Sequence, residues 1–282
     1  MTSANEITRP LAEGKGWGSR RTRLWVIALF GLALAIAVAV LPPLPQPPVF
    51  RVLADERALF GIANFLNVVS NLALLVVGVW GLYFLAPGRH LPNADSFAAT
   101  REKWPFAFCF LGVSLSAPGS IYYHLAPDDM RLFWDRLPLA MCFMSVLSAV
   151  IVDRISVQAG LRSLLPFLLA GVGSVIYWRW SVLQGTEDLL PYAAVQYGSI
   201  AAIVAIALLF PSRYTRGNDI FGVAAIYAAA KVTEIFDAQI YALGQVVSGH
   251  TLKHVIGAVA IWWLLRMLQL RRQRTGFPGV PH

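Results

Sequence analysis

The stretch "SIYYHLAPDDMRLFWDR", residues 120–136, lies between two long apolar runs, and its reading decides the fold. It carries Ser120, then His124 one helical turn later, then Asp135 beyond a turn-forming "APDD". The runs around it belong to a chain of 282 residues that is 57% hydrophobic and only 13% charged. A soluble domain carries about a quarter charged residues. Mean hydropathy is +0.60, and the apolar residues fall in blocks at about 24–42, 59–86, 105–125, 132–152, 163–180, 190–210, 219–244 and 250–270. Each is near the roughly 20 residues that cross a bilayer as a helix. Runs such as "LALAIAVAVL" lack the alternation of a membrane barrel, so the pattern predicts an all-α membrane protein.

Four regions follow from this pattern. Residues 1–23 form a basic tail, and 24–48 an accessory transmembrane helix with a proline-rich linker, "LPPLPQPP". Residues 55–270 form a seven-helix core, and 271–282 a second basic tail. The first block reads as a retained helix, because its apolar core is long and no small-residue cleavage site follows. The formal charge of +8 raises the question of nucleic acid, but its placement argues for topology instead. Arg9, Lys15, Arg20, Arg21 and Arg23 precede the first block; Arg266, Arg271, Arg272 and Arg274 end the last. An even number of spans puts both termini on one side, which the positive-inside rule makes cytoplasmic. Arg89, Arg101 and Lys103 in the 87–104 connection agree, and the 126–131 connection is then external. The expected partner is the bilayer, not nucleic acid. Cys109 and Cys142 fall inside spans and read as apolar packing residues rather than a disulfide.

Ionisable groups at membrane depth are costly and mark a function or an internal partner. Of five histidines, His90 lies in a connection and His282 ends the chain; His124, His250 and His254 belong to apolar segments. Counting helices puts these three at one level on the external side. The spacing in "GHTLKHV" places His250 and His254 on one helix face, and three imidazoles with a position left for water make a catalytic zinc arrangement. Interfacial, hydrogen-bonded histidines are the competing reading. Ser120 shares a face with His124 and also suits close helix packing. Asp135 falls level with His124, either as an ion-pair partner of Arg131 or Arg136 or as an acid–base group beside a metal. In "KVTEIFDAQIY", Lys231, Glu234 and Asp237 form an inward stripe that reads first as a buried charge network, with Glu234 and Asp237 near enough to support the site. In "NFLNVVSN", Asn64, Asn67 and Asn71 form an interhelical hydrogen-bonding stripe alongside Ser70. "YWRW" at 177–180 reads as an aromatic interfacial belt.

Taken in order, Ser120-x-x-x-His124, Trp134-Asp135-Arg136-Leu137-Pro138 and His250-x-x-x-His254 resemble the alkaline ceramidases and their superfamily of seven-helix membrane hydrolases. "NFLNVVSN" resembles the start of their first core helix, and the likeness covers about residues 55–268. The resemblance implies zinc held by His124, His250 and His254, with Asp135 and Ser120 catalytic. It also implies cleavage of the amide of ceramide, or a related lipid amide, to a sphingoid base or amine and a fatty acid. Asp135 would then handle the proton and Ser120 would donate to the oxyanion, with Tyr122 and Tyr123 at the mouth. The eukaryotic enzymes also bind calcium through acidic residues before the first core helix. Here Asp55 and Glu56 are present, but Asn64 stands where those enzymes have glutamate, which weakens the calcium expectation. The rival readings are a lipid-sensing receptor of the progestin and adipoQ class and a bundle merely clamped by its metal. Short cytoplasmic connections, with little surface for signalling partners, favour the enzyme.

Overall fold

The computed structural model describes residues 18–47, 52–88 and 96–275. The readings on Arg9, Lys15, Arg89, His90 and His282, and on the outer parts of both tails, lie outside these residues. Seven described helices are long and apolar enough to cross a membrane: α1 (Arg20–Val40), α2 (Phe65–Leu85), α3 (Thr100–Leu125), α4 (Asp129–Arg154), α5 (Val157–Leu183), α6 (Leu190–Leu209) and α9 (Gly249–Leu270). Two shorter helices, α7 (Asp219–Ile235) and α8 (Asp237–Ala242), precede the last of these. The chain is an all-α, multi-pass membrane protein.

Local chemistry sets the helix limits. Ser19, Asp128, Ser156 and Ser248 each accept a backbone N–H of the following turn, satisfying donors that a helix start leaves open. Two blocks differ from their expected form. The block at 59–86 becomes helical only at Phe65, because Phe60 (φ 54) and Asn64 (φ 50) adopt left-handed backbone. The block at 219–244 breaks at Phe236 (φ −95, ψ 28), leaving α7 with 17 residues, about 26 Å of helix. Within α6, Ala194–Gly198 is wound as a π-helix, a local widening that recurs at functional sites. Gln196 in that segment donates to Tyr227 Oη of α7 at 2.6 Å.

Close approaches bring the site together. A Cβ on Gly119 would lie 2.2 Å from the Trp134 carbonyl oxygen, so only glycine lets α3 and α4 cross there. A Cβ on Gly249 would lie 2.0 Å from the Thr233 carbonyl oxygen, so α9 begins directly against α7. Helix α1 buries none of its residues but rests Leu24, Ile27 and Phe30 on the cluster around Ile203, Ile206 and Phe210. At its far end Leu44 N–H donates to Asp188 Oδ1 (3.1 Å), and Leu44 O accepts from Leu189 N (2.8 Å).

The end of the bundle away from the histidines is tightly tied. Arg20 donates to Ile155 O (3.1 Å) and Arg23 to Leu209 O (2.8 Å). Tyr214 Oη donates to Glu102 Oε2 at 2.5 Å and accepts from Ala98 N at 2.8 Å. Arg271 lies over the rings of Tyr214 (4.1 Å) and Phe97 (4.5 Å). Both described ends of the chain thus gather at this pole.

Candidate metal centre

His124 closes α3 just before the turn into α4, and Asn64 Nδ2 donates to its carbonyl oxygen at 2.7 Å. His250 and His254 fall in the first two turns of α9. Asp237 Oδ1 accepts the His250 backbone N–H at 2.6 Å and Oδ2 accepts Ala54 N at 2.9 Å, tying the α8 start to α9 and to the segment before α2. All three imidazoles are buried, and one ring nitrogen of each lies within 4.8 Å of the others. Helix counting put the three at one level, and the structure brings them together.

Two observations bear on whether these rings fit a metal. Ser70 Oγ already donates to Asn67 O at 3.2 Å and meets His254 Nδ1 at 2.8 Å. With its proton so engaged, Ser70 accepts from Nδ1–H, which leaves the lone pair of His254 on Nε2. That Nε2 is buried with no hydrogen-bond partner, as is His124 Nδ1. His124 Nε2 and His250 Nε2 stand 3.2 Å apart, close to the ~3.3 Å between two nitrogens on one tetrahedral zinc with ~2.05 Å bonds. The group could hold a metal ion, with Ser70 orienting one ligand.

The surroundings are charged. Lys253 Nζ donates to His250 Nε2 (2.8 Å) and to Glu234 Oε1 (2.9 Å), while Lys231 pairs with Glu234 Oε2. A metal on His250 Nε2 competes with Lys253, and Glu234 is the acceptor to which that ammonium can turn. The expected stripe is thus divided: Glu234 sits with both lysines on the cavity wall, whereas Asp237 works on backbone beyond the break at Phe236.

Ser120 and Asp135 face each other across the α3–α4 contact, and both line the same cavity. Among the described residues Asp135 joins no ion pair. Arg131 pairs with Asp128 (3.3 Å), and the Arg136 guanidinium stacks on Trp178 and Tyr192. Ser120, Asp135, His250, His254 and Tyr123 line one end of a cavity of about 240 Å³. The cavity continues past Val113, Phe143, Val146 and Ile261 to Leu264. From His254 to Leu264 along α9 is about 15 Å, so a polar end opens onto an apolar slot within the bundle.

Other expected residues lie elsewhere. Tyr122 is exposed, under Arg131 (4.8 Å), not at the mouth. Trp178 is fully buried, so the belt keeps only Tyr177 and Trp180 among its aromatics. Asp55 is buried and its carboxylate takes Arg57 Nε (2.7 Å) and Nη2 (2.8 Å), a pairing that holds its pKa below the usual carboxylate range. Glu56 is exposed, and the Asn64 amide is turned to His124; the polar groups expected at calcium face three different ways. Asn67 bonds across helices, to Asp55 O (3.0 Å) and Thr251 Oγ1 (2.9 Å), whereas Asn71 Nδ2 bonds back to Asn67 O within its own helix. Ser70, Lys253 and Gln46 are the site residues that sequence reasoning left aside. Ser70 stood inside the quoted asparagine stripe and Lys253 between the two histidines; Gln46 gave no signal.

Comparison with family models, with curated proteins and with solved structures gave no match.

Proposed function

We propose that the protein is an integral-membrane, zinc-dependent amidohydrolase that cleaves ceramide or a related lipid amide to an amine and a free fatty acid. One observation carries this reading. Three buried imidazoles converge, the Nε2 of His254 having no partner, and two of them, His250 and His254, line the polar end of an apolar slot together with Ser120 and Asp135. A structural clamp would need no such slot, and a soluble substrate would need no such apolar length. The charge distribution favours termini in the cytoplasm and the site toward the external or periplasmic face.

His124, His250 and His254 would hold the ion. When bound, zinc supplies Lewis acidity, polarising the amide carbonyl and making water easier to deprotonate. The chain's own groups do the rest. Asp135 accepts the proton of the attacking water as oxygen bonds to the carbonyl carbon. It returns that proton to nitrogen as the C–N bond breaks, so one water is consumed per acid and amine released. Ser120, beside that carboxylate, donates its one O–H to the developing oxyanion, a role worth about 3 kcal/mol where such donors have been removed. Lys231, Glu234 and Lys253 fix the charge balance of the wall.

The test is metal analysis with a lipid turnover assay. Purified protein should hold about one zinc per chain and release fatty acid from ceramide or another lipid amide, and His254→Ala should abolish both. Zinc bound without turnover of any lipid amide would favour the receptor or clamp readings; no bound metal would overturn the proposal.

A further inference from the structure

Arg136 is a buried cation that the reaction above does not use. Its side chain is only 8% exposed, and its guanidinium lies 4.2 Å from the Trp178 ring and 5.2 Å from the Tyr192 ring. The two rings pack against the guanidinium, which meets polar partners at its edge. At that edge Nη2 donates to Gln46 Oε1, while Nη1 is buried with no partner. Arg136 forms no ion pair among the described residues; Asp135 and Glu187 act on it only at longer range. A buried, unpaired guanidinium is unfavourable unless something neutralises it. Its planar fork is shaped for the two oxygens of a carboxylate or phosphate.

The oxygen now at that edge comes from outside the seven-helix core. Gln46 belongs to the segment after α1, held against the α5–α6 connection through Leu44. It is itself buried, and it lines the cavity together with Arg136 and Asp135. A neutral carboxamide oxygen therefore occupies the place of an anionic one, beside the residue proposed to handle the proton.

Resting on the amidohydrolase reading, we infer that Arg136 binds an oxyanion carried on the amine portion of the substrate, with Gln46 standing in for that oxygen here. The substrate class is an N-acyl lipid whose amine portion is short and acidic, such as an N-acyl amino acid or a phosphate-bearing amide. Arg136 and Asp135 line the same cavity, so the anion would sit in the chamber that takes the scissile amide.

N-palmitoylglycine and N-palmitoylethanolamine differ only by a carboxylate against a hydroxymethyl group, and full-length zinc-loaded protein should be assayed with both for binding and for turnover. The acidic amide should be preferred in kcat/KM by roughly tenfold or more, chiefly through KM. Arg136→Gln should bring the ratio toward one. Gln46→Glu, which fills the edge with an internal carboxylate, should do the same and serves if Arg136→Gln does not fold. Ceramide 1-phosphate tells the sources apart: an Arg136-dependent preference for it alone identifies a phosphate and still supports the subsite. Preference for the neutral amide, or a ratio that neither variant changes, overturns the inference. If no amide is hydrolysed the hydrolase reading fails, while Arg136-dependent binding of N-palmitoylglycine still supports the subsite and its absence removes that as well.

Discussion

Ser70 shows how much of a metal site resides in residues that never touch the ion. Its hydroxyl meets His254 Nδ1 at 2.8 Å, so Ser70→Ala should leave the fold intact and weaken zinc retention. Loss of such an outer partner costs about 10–100-fold in affinity, readable by competition with a coloured chelator. An unchanged affinity would mean that His254 is oriented by packing alone. The three histidines were legible because ionisable residues are scarce in this chain and helix counting gives depth. Ser70 was not, because a serine in an asparagine-rich turn has many uses, and only the approach of α9 to α2 selects this one. Arg136 was legible as a charge beside Asp135 but not in its role. Sequence proximity suggested an ion pair, whereas Trp178 and Tyr192, distant in the chain, turn its guanidinium away.

At the scale of elements, the α3–α4 crossing decides whether Ser120 reaches Asp135. Gly119→Ala sets a methyl against the Trp134 carbonyl, a backbone atom that cannot move aside alone. Overpacking of this kind costs about 1–3 kcal/mol, and a lower unfolding temperature should measure it. Turnover should fall further than zinc content, because the crossing holds the Ser120–Asp135 pair while Ser70 and Asp237 hold the histidine helix independently. Equal loss of both would show that the crossing supports the whole site. The apolar blocks made every long helix visible, because twenty apolar residues have few other uses. Their ends were less visible. The left-handed turn before Phe65 and the break at Phe236 depend on partners, among them Ala54 and His250 for Asp237, that local sequence does not name.

For the whole molecule, polar locks at the pole opposite the histidines hold helices that lipid alone would not order. Burial and the neighbouring Glu102 carboxylate push the Tyr214 phenol above its usual range. The folded state thus favours the neutral phenol, so this contribution is complete below the ordinary phenol value of about 10 and is lost as pH rises beyond it. Thermal unfolding should shift downward above about pH 10, and Tyr214→Phe should flatten that shift; a slope identical in the variant would place the titration elsewhere. The π-wound segment Ala194–Gly198 bears on what alterations the chain can accept. Each widened turn holds one residue more than an α-turn, so the segment behaves as a spacer set by length rather than by composition. Deleting a single residue there would turn everything before it by about 100°, carrying Tyr192 off Arg136 and Leu189 away from the extended segment that delivers Gln46. Substitutions in these five positions leave that alignment in place, whereas a one-codon deletion would uncouple the accessory helix from the chamber it helps to close.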